Sequence, residues 1–509
     1  MKYRNPIISG YNPDPSICRV GEDYYIVNSS FEFFPGVPLY HSTNLVNWEL
    51  TGYCLTRKSQ DPLDGARSSG GIYAPMLCYH DGVFFMTTTN VTGGGHLIVH
   101  TDDLNKGWSE PAWVDQGGID PTLFFEGDDV YFASTSVDEN GRQGIFMCRI
   151  DPYTGEKLTE SVCISYGCGG ICPEGPHLYK WFGKYYLLLA EGGTEYGHMV
   201  TLQRSDSLYG PYEPCPHGPI LTHRDDQARE IACTGHADIM QDHNGNWWLV
   251  CLGVRTGSGS SAYTLLHHLG RETFLAPVVW AEDGWPVVGN NGKLALTMDG
   301  PLPGGPVKPV CRDFADDFRT EKFSPHYNFV RNPEMAYYVR DAQAGTLTLH
   351  GTDVTLNDTA SPTWIGVRQK EHDVCAETEV SLKNAHDGAR AGLTAFYNEC
   401  YHYEIYVTSE KGCTKVCLAR HIHDLFAVTA SATIPTAEHV QLKIEADRAM
   451  YRFYYKTEQE DAYRLLGSGS TAGLATEGTM TMTFTGTYLG MFAERGDGVF
   501  RGFRVTIKD

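Results

Sequence analysis

Five stretches within the first 300 residues follow one plan, and that repeat restricts the fold more than any single motif. They are "DPSICRVGEDYYIVNSS", "APMLCYHDGVFFMTTTN", "DPTLFFEGDDVYFASTS", "EGPHLYKWFGKYYLLLAEG" and "HADIMQDHNGNWWLVCLG". Each is a short apolar run, a polar turn and an aromatic-led strand. The leading aromatics, Tyr24, Phe84, Tyr131, Tyr185 and Trp247, are separated by 60, 47, 54 and 62 residues. That period suits a four-stranded propeller blade with variable loops. Asp81-Gly82 and Asn244-Gly245 are two-residue hairpin signals. A second echo, "HSTNLVNWEL", "HTDDLNKGWSEP" and "RSDSLYGPYEP", sets a leucine three or four residues before an aromatic and is expected to be an outer strand recurring in several blades. Sustained 3.6-residue periodicity is lacking, which disfavours helical bundles. The expected fold is all-β, with a five-bladed β-propeller over residues 1–298.

The residue that opens each repeat lies ten or eleven positions before its aromatic: Asp14, Ala74, Asp120, Glu174 and His236. In a propeller these equivalent positions surround the central axis, so four of five blades would send a titratable side chain into one small cavity. Prolines adjoin Asp14, Asp120 and Glu174. Proline fixes its own φ and restricts the residue before it, so Asp14 in "NPDPS" is expected to be extended and rigid.

The run "DGPLPGGPVKPV" at 299–310 is rich in proline and glycine and suits a linker. Beyond it, over 311–509, alternating segments such as "HVQLKIEAD", "YRFYYK" and "YHYEIYVT" suit an antiparallel β-sandwich of jelly-roll, lectin-like type. Its aromatics suit either a carbohydrate-binding face or, more simply, a core plus a face docked on the propeller.

Charge narrows the partners. With 62 Asp+Glu against 40 Lys+Arg the net charge is -22, which argues against nucleic acid or an anionic membrane. No run approaches the length of a membrane-spanning helix. The N-terminus lacks the apolar core of a signal peptide, and the 15 cysteines sit in apolar contexts suited to reduced thiols. The expectation is a cytoplasmic protein. Cys163, Cys168 and Cys172 are spaced five and four apart, without a C-x-x-C knuckle, so no metal site is assigned.

Carboxylates crowded together cannot all ionise cheaply, and their pKa values are driven apart. One can then act as a base while another keeps a proton to donate, the division of labour that glycoside hydrolysis requires. Chelation of a hard cation, sugar binding without catalysis, and a purely structural ring of carboxylates remain alternatives at this point.

The motifs "NPDPS", "GGIYAP", "GGIDPTLFFEGD", "CPEGPHLYK", "TGHADI" and "LGRETF" occur in that order. Together they resemble glycoside hydrolase family 43, in its two-domain β-xylosidase-like members, over essentially the whole chain. The resemblance implies that Asp14 is the general base that activates water, that Glu174 is the general acid, and that Asp120 raises the pKa of Glu174 and orients it. It implies inversion at the anomeric carbon, with base and acid roughly 6.5–9.5 Å apart. Arg271 in "LGRET" matches the arginine that holds sugar hydroxyls, and Phe31 matches an aromatic wall of the sugar pocket. His236 matches a channel histidine that bonds water or calcium beneath the substrate; no cofactor is required, and calcium near His236 is left open. Phe484 in "TFTGTYLGMF" matches a loop by which the second domain closes the pocket. Tyr73 departs from the pattern, because close β-xylosidase relatives usually carry tryptophan there, and this leaves the sugar open.

The expected activity is an inverting exo-glycosidase that releases terminal β-D-xylose from xylo-oligosaccharides. The alternative is α-L-arabinofuranosidase action, alone or alongside it, on arabinose-decorated oligosaccharides. A non-catalytic carbohydrate-binding propeller is a further alternative. A five-bladed fructan hydrolase ranks low, since its Asn-Asp-Pro-Asn and Arg-Asp-Pro segments are missing. Relatives often form homo-oligomers, and the chain is left open to that.

Overall fold

The computed structural model describes residues 1–226, 230–257, 265–410, 412–435, 439–481 and 483–508. Its first half is five antiparallel sheets. The strand beginning each repeat is innermost: Ser16–Val20, Met76–His80, Ile119–Glu126, Glu174–Trp181 and Ile231–Gln241. The five leading aromatics fall in the second strands, Asp23–Val27, Val83–Asn90, Asp129–Val137, Lys184–Glu191 and Trp247–Arg255. Each sheet continues through a third strand to an outer fourth, and each innermost strand packs on the next around a closed ring. The chain is a five-bladed propeller.

Closure relies on long-range bonds. Lys2–Arg4 pairs antiparallel with Thr297–Asp299, and Ile8 bridges Thr273 in the fifth blade. Inside the ring, Asp238 of blade five accepts from Ser16 Oγ and the Ile17 amide of blade one, both at 2.9 Å, and from Tyr179 Oη of blade four at 2.6 Å. One buried carboxylate thus ties three blades, because burial is tolerated only where hydrogen bonds replace water.

Two local expectations are corrected. Asp81-Gly82 is a two-residue hairpin loop, with both residues at positive φ (47° and 88°). Asn244-Gly245 instead lies in a longer loop, where Asp242 Oδ1 accepts the amides of Asn244 and Asn246 and gathers the chain around itself. The leucine–aromatic echo covers mainly the turn into the outer strand rather than the strand itself, with Leu45 and Leu208 buried under it.

The second half is a sandwich. One sheet has eight strands, among them Val374–Lys383, Val440–Ala446, Met450–Thr457 and Asp497–Ile507. The other has six, among them Trp364–Arg368, Arg390–Asn398, Tyr401–Glu410 and Tyr488–Glu494. Alternate residues of both sheets fill one core. The sandwich docks through aromatics: Phe33–Phe34 of the propeller pairs with Phe329–Val330, and Phe33 stacks on Tyr488 at 4.2 Å. Such a pair is worth about 0.5–1.5 kcal/mol beyond the area it buries. Trp364, Phe396 and Phe492 join the same cluster as Tyr11 and Phe31. These sandwich aromatics therefore form a docked face.

Candidate active site

The heads of the innermost strands do not follow regular strand geometry. Asp14, Asp120 and His236 have φ of 51°, 56° and 43°, and Gly175, directly after Glu174, has 58°. Register shifts accompany them, between Ile119 and Thr122, between Glu174 and His177, and on either side of Gly235. A bulge of this kind re-aims a side chain that regular pleating would direct elsewhere. Asp14 is therefore left-handed, not extended as its place before Pro15 suggests. Aspartate tolerates this conformation because its short polar side chain bonds locally. Here Ser29 Oγ donates to Asp14 Oδ2 at 2.5 Å.

The structure brings Asp14, Asp120, Glu174, His236, Phe31, Tyr73, Arg271 and Phe484 together around one cavity of about 190 Å³. Ala74, the apolar member of the five-residue register, lines it too. Arg271 Nη1 donates to Asp14 Oδ1 at 3.1 Å and to Thr194 Oγ1 at 3.0 Å, and Nη2 donates to the Phe484 carbonyl at 3.2 Å. Its Nε is buried without a protein partner. Phe31, Tyr73 and Phe484 form an aromatic wall, with centroids 5.1, 5.7 and 6.0 Å apart.

Phe484 arrives from the sandwich on residues 483–487. Phe484 N donates to Ser69 Oγ at 2.9 Å, and Thr487 N to the His268 carbonyl at 2.8 Å. Two glycines permit this approach: a Cβ on Gly486 would lie 2.3 Å from Leu269 O, and one on Gly270 would lie 2.9 Å from Gly486 Cα. Gly270 also has φ +83°. The cavity wall is thus assembled from both domains.

Five lining residues were missed: Ile119, Cys172, Gly193, Thr194 and His198. The His198 ring lies against Gly235, its Nδ1 3.0 Å from the Cys233 carbonyl and its buried Nε2 unpartnered. Thr194 and His198 follow the second strand of blade four in "EGGTEYGHM", outside the register formed by the innermost strands. The glycine pair there was the only local signal.

Electrostatics separate the three carboxyls. Burial alone would raise Asp14, but Arg271, then His236 and the Ser29 bond, outweigh it and hold Asp14 below its ordinary value. Glu174 is pushed up to about 7 by burial, then by the Asp14 charge, with Arg271 opposing. Asp120 is also raised, by burial, then by Glu174 and Asp14. Asp120 and Glu174 are neighbouring buried acids, and each disfavours ionisation of the other. Asp120 Oδ2 also accepts the Gly175 amide at 3.2 Å, one residue from Glu174.

His236 is held neutral by burial, its pKa lowered to about 4, and its Nδ1 lies 3.7 Å from Asp14 Oδ1. Among the described residues, no three His, Cys, Asp or Glu side chains gather to hold a metal. Calcium prefers six to eight oxygen ligands. His236 offers one nitrogen, and Asp14 already accepts from Ser29 and Arg271. The side chains present do not fit a calcium cage.

A buried carboxylate held ionised, a second acid holding its proton near neutrality, and an arginine beside an aromatic wall define a glycoside hydrolase site on a five-bladed propeller. The model of glycosyl hydrolases family 43 matches residues 3–286, and that of the beta xylosidase C-terminal concanavalin A-like domain matches 315–500. The chain belongs to glycoside hydrolase family 43. It is 39% identical to the non-reducing end alpha-L-arabinofuranosidase BoGH43B of Bacteroides ovatus, over 96% of this chain and 91% of that one. It is 36% identical to a xylosidase/arabinosidase of Butyrivibrio fibrisolvens, over 90% and 89%. The solved xylan beta-1,4-xylosidase of Bacillus halodurans superposes with a TM-score of 0.92 at 30% identity, over 99% of this chain and all of that one.

Proposed function

We propose that this chain is an inverting, exo-acting pentosidase that removes a terminal α-L-arabinofuranose or β-D-xylose from short oligosaccharides. The observation that carries it is the pairing of an Arg271-clamped Asp14 with a Glu174 raised to about 7 in one small cavity. Asp14 takes a proton from water, whose oxygen bonds to the anomeric carbon from one face. The bond to the leaving oxygen breaks on the other face, and Glu174 delivers its proton there. Asp120 positions Glu174 through the Gly175 amide. Arg271 holds sugar hydroxyls while keeping Asp14 ionised, and Phe31, Tyr73 and Phe484 pack on the sugar.

Arabinofuranose is placed first among the sugars. The similarity to the Bacteroides arabinofuranosidase supports this. The small cavity supports exo-action. Fifteen free cysteines support a reducing, cytoplasmic setting.

The test compares kcat/KM on 4-nitrophenyl α-L-arabinofuranoside and β-D-xylopyranoside, with proton NMR of the first sugar released. Turnover of at least one, with the anomer opposite to that of the substrate appearing first, is expected. The higher kcat/KM names the enzyme. Appearance of the retained anomer first rules out inversion, and no turnover of either sugar favours the binding-propeller alternative.

The electrostatics also predict the pH profile. Asp14 must be ionised and Glu174 protonated. Activity therefore rises with pH through the depressed value of Asp14 and falls as pH rises through about 7, where Glu174 loses its proton. The limbs of kcat/KM against pH check this. A profile still rising between pH 7 and 9 contradicts the roles assigned.

A further inference from the structure

A separate cavity of about 320 Å³ lies where the propeller, the connection after residue 300 and the sandwich meet. Five cationic side chains line it, Arg4, Arg255, Arg312, Arg448 and Lys508, against two carboxylates, Glu371 and Asp373. This concentration occurs in a chain of net charge -22. Part of it is already matched, Lys508 by Glu445 at 3.1 Å. Arg255 is clasped by Glu272 through two bonds at 2.7 and 2.8 Å and also donates to Glu371, while Arg312 lies 3.2 Å from the other Glu371 oxygen. Arg4 and Arg448 make no ion pair among the described residues, and the Arg448 hydrogen bond to the Thr256 carbonyl is long, at 3.4 Å.

The second observation is His372 in the same wall. It is only 3% exposed, yet both ring nitrogens lack hydrogen-bond partners. A buried imidazole with nothing to bond is costly unless a ligand supplies the partner. Burial, then His268, Arg255 and Arg448, keep it neutral, so it offers one N–H donor.

We propose that this interdomain cavity is a binding site for a small oxyanion, of the phosphate or carboxylate class. Guanidinium forks match oxyanion geometry, and charge-assisted bonds in a partly desolvated pocket are the strong ones. The ligand joins the N-terminal strand through Arg4, blade five through Arg255, the connection through Arg312 and the sandwich through His372, Arg448 and Lys508. It therefore fastens the domain that carries Phe484 to the propeller. Glu272, which holds the lining residue Arg255, directly follows Arg271 in the chain, so one ion pair links the cavity to the sugar clamp.

Thermal unfolding of the full chain, with inorganic phosphate or sodium glucuronate against sodium chloride at equal ionic strength, tests the site. A ligand that binds only the folded state raises the Tm with the logarithm of its concentration above Kd. At least one of the two oxyanions is expected to raise the Tm beyond chloride, and the larger shift distinguishes phosphate from carboxylate. Arg448→Gln, which loses only a weak bond, is expected to weaken the response at least tenfold in concentration. Titration calorimetry on the wild type should give one site per chain for the same ion. A Tm response equal to chloride for both oxyanions, an unaltered response in Arg448→Gln, or the lack of a one-site isotherm overturns the proposal.

Discussion

Replacing Glu174 by alanine lowers hydrolysis of xylobiose, or of an arabinosyl oligosaccharide, by about 10²–10⁴-fold, the range that a positioned general acid supplies. The loss depends on the leaving group. A sugar alkoxide cannot depart without a proton, whereas nitrophenolate can, so the nitrophenyl glycoside loses far less. That split separates chemistry from misfolding, because a damaged fold would slow both substrates alike. Steady-state kcat on the two substrate types, wild type beside Glu174→Ala, is the measurement. Equal losses on both would remove Glu174 from the role of acid.

Asp14→Ala has the opposite signature. It lowers kcat on every substrate by about 10⁴-fold, the upper end of general-base help, because in a single displacement water must be activated whichever group leaves. The substitution also strips Arg271 of its buried counter-ion at 3.1 Å, so sugar binding suffers as well. Asp14→Asn keeps the volume of the side chain and an oxygen for Ser29. If the amide restores activity to within tenfold of wild type, Asp14 positions and does not abstract. If both variants fail alike on nitrophenyl and natural substrates, the carboxylate charge is what the reaction uses.

The two losses follow from one electrostatic arrangement with opposed requirements. Arg271 and Ser29 act on Asp14 to keep a charge, while burial and that same charge act on Glu174 to keep a proton. The arginine proposed to hold the sugar therefore also keeps Asp14 ionised, and its loss would disturb both limbs of the pH profile.

Much of this was legible in the chain. The five hairpins appear as apolar run, turn and aromatic because each blade must bury alternate residues of its strands against its neighbours. The register of Asp14, Ala74, Asp120, Glu174 and His236 follows from that repeat, and the structure places all five at one cavity. Thr194 and His198 escaped because they enter from a loop after a second strand, where no register applies. The left-handed backbone of Asp14 escaped because proline rules describe only local sterics, whereas the ring imposes its own direction on the side chain.

The sequence by itself determined the repeat, the β-rich second half and the identity of the carboxylates, since periodicity and residue type are local properties of the chain. Only the tertiary structure decided that burial and Asp14 push Glu174 up, that Phe484 from the sandwich completes the cavity wall, and that cations from four segments share one interdomain cavity. A pKa depends on burial and on charges a few ångströms away. Here the decisive charge on Asp14 comes from Arg271, 257 residues along the chain.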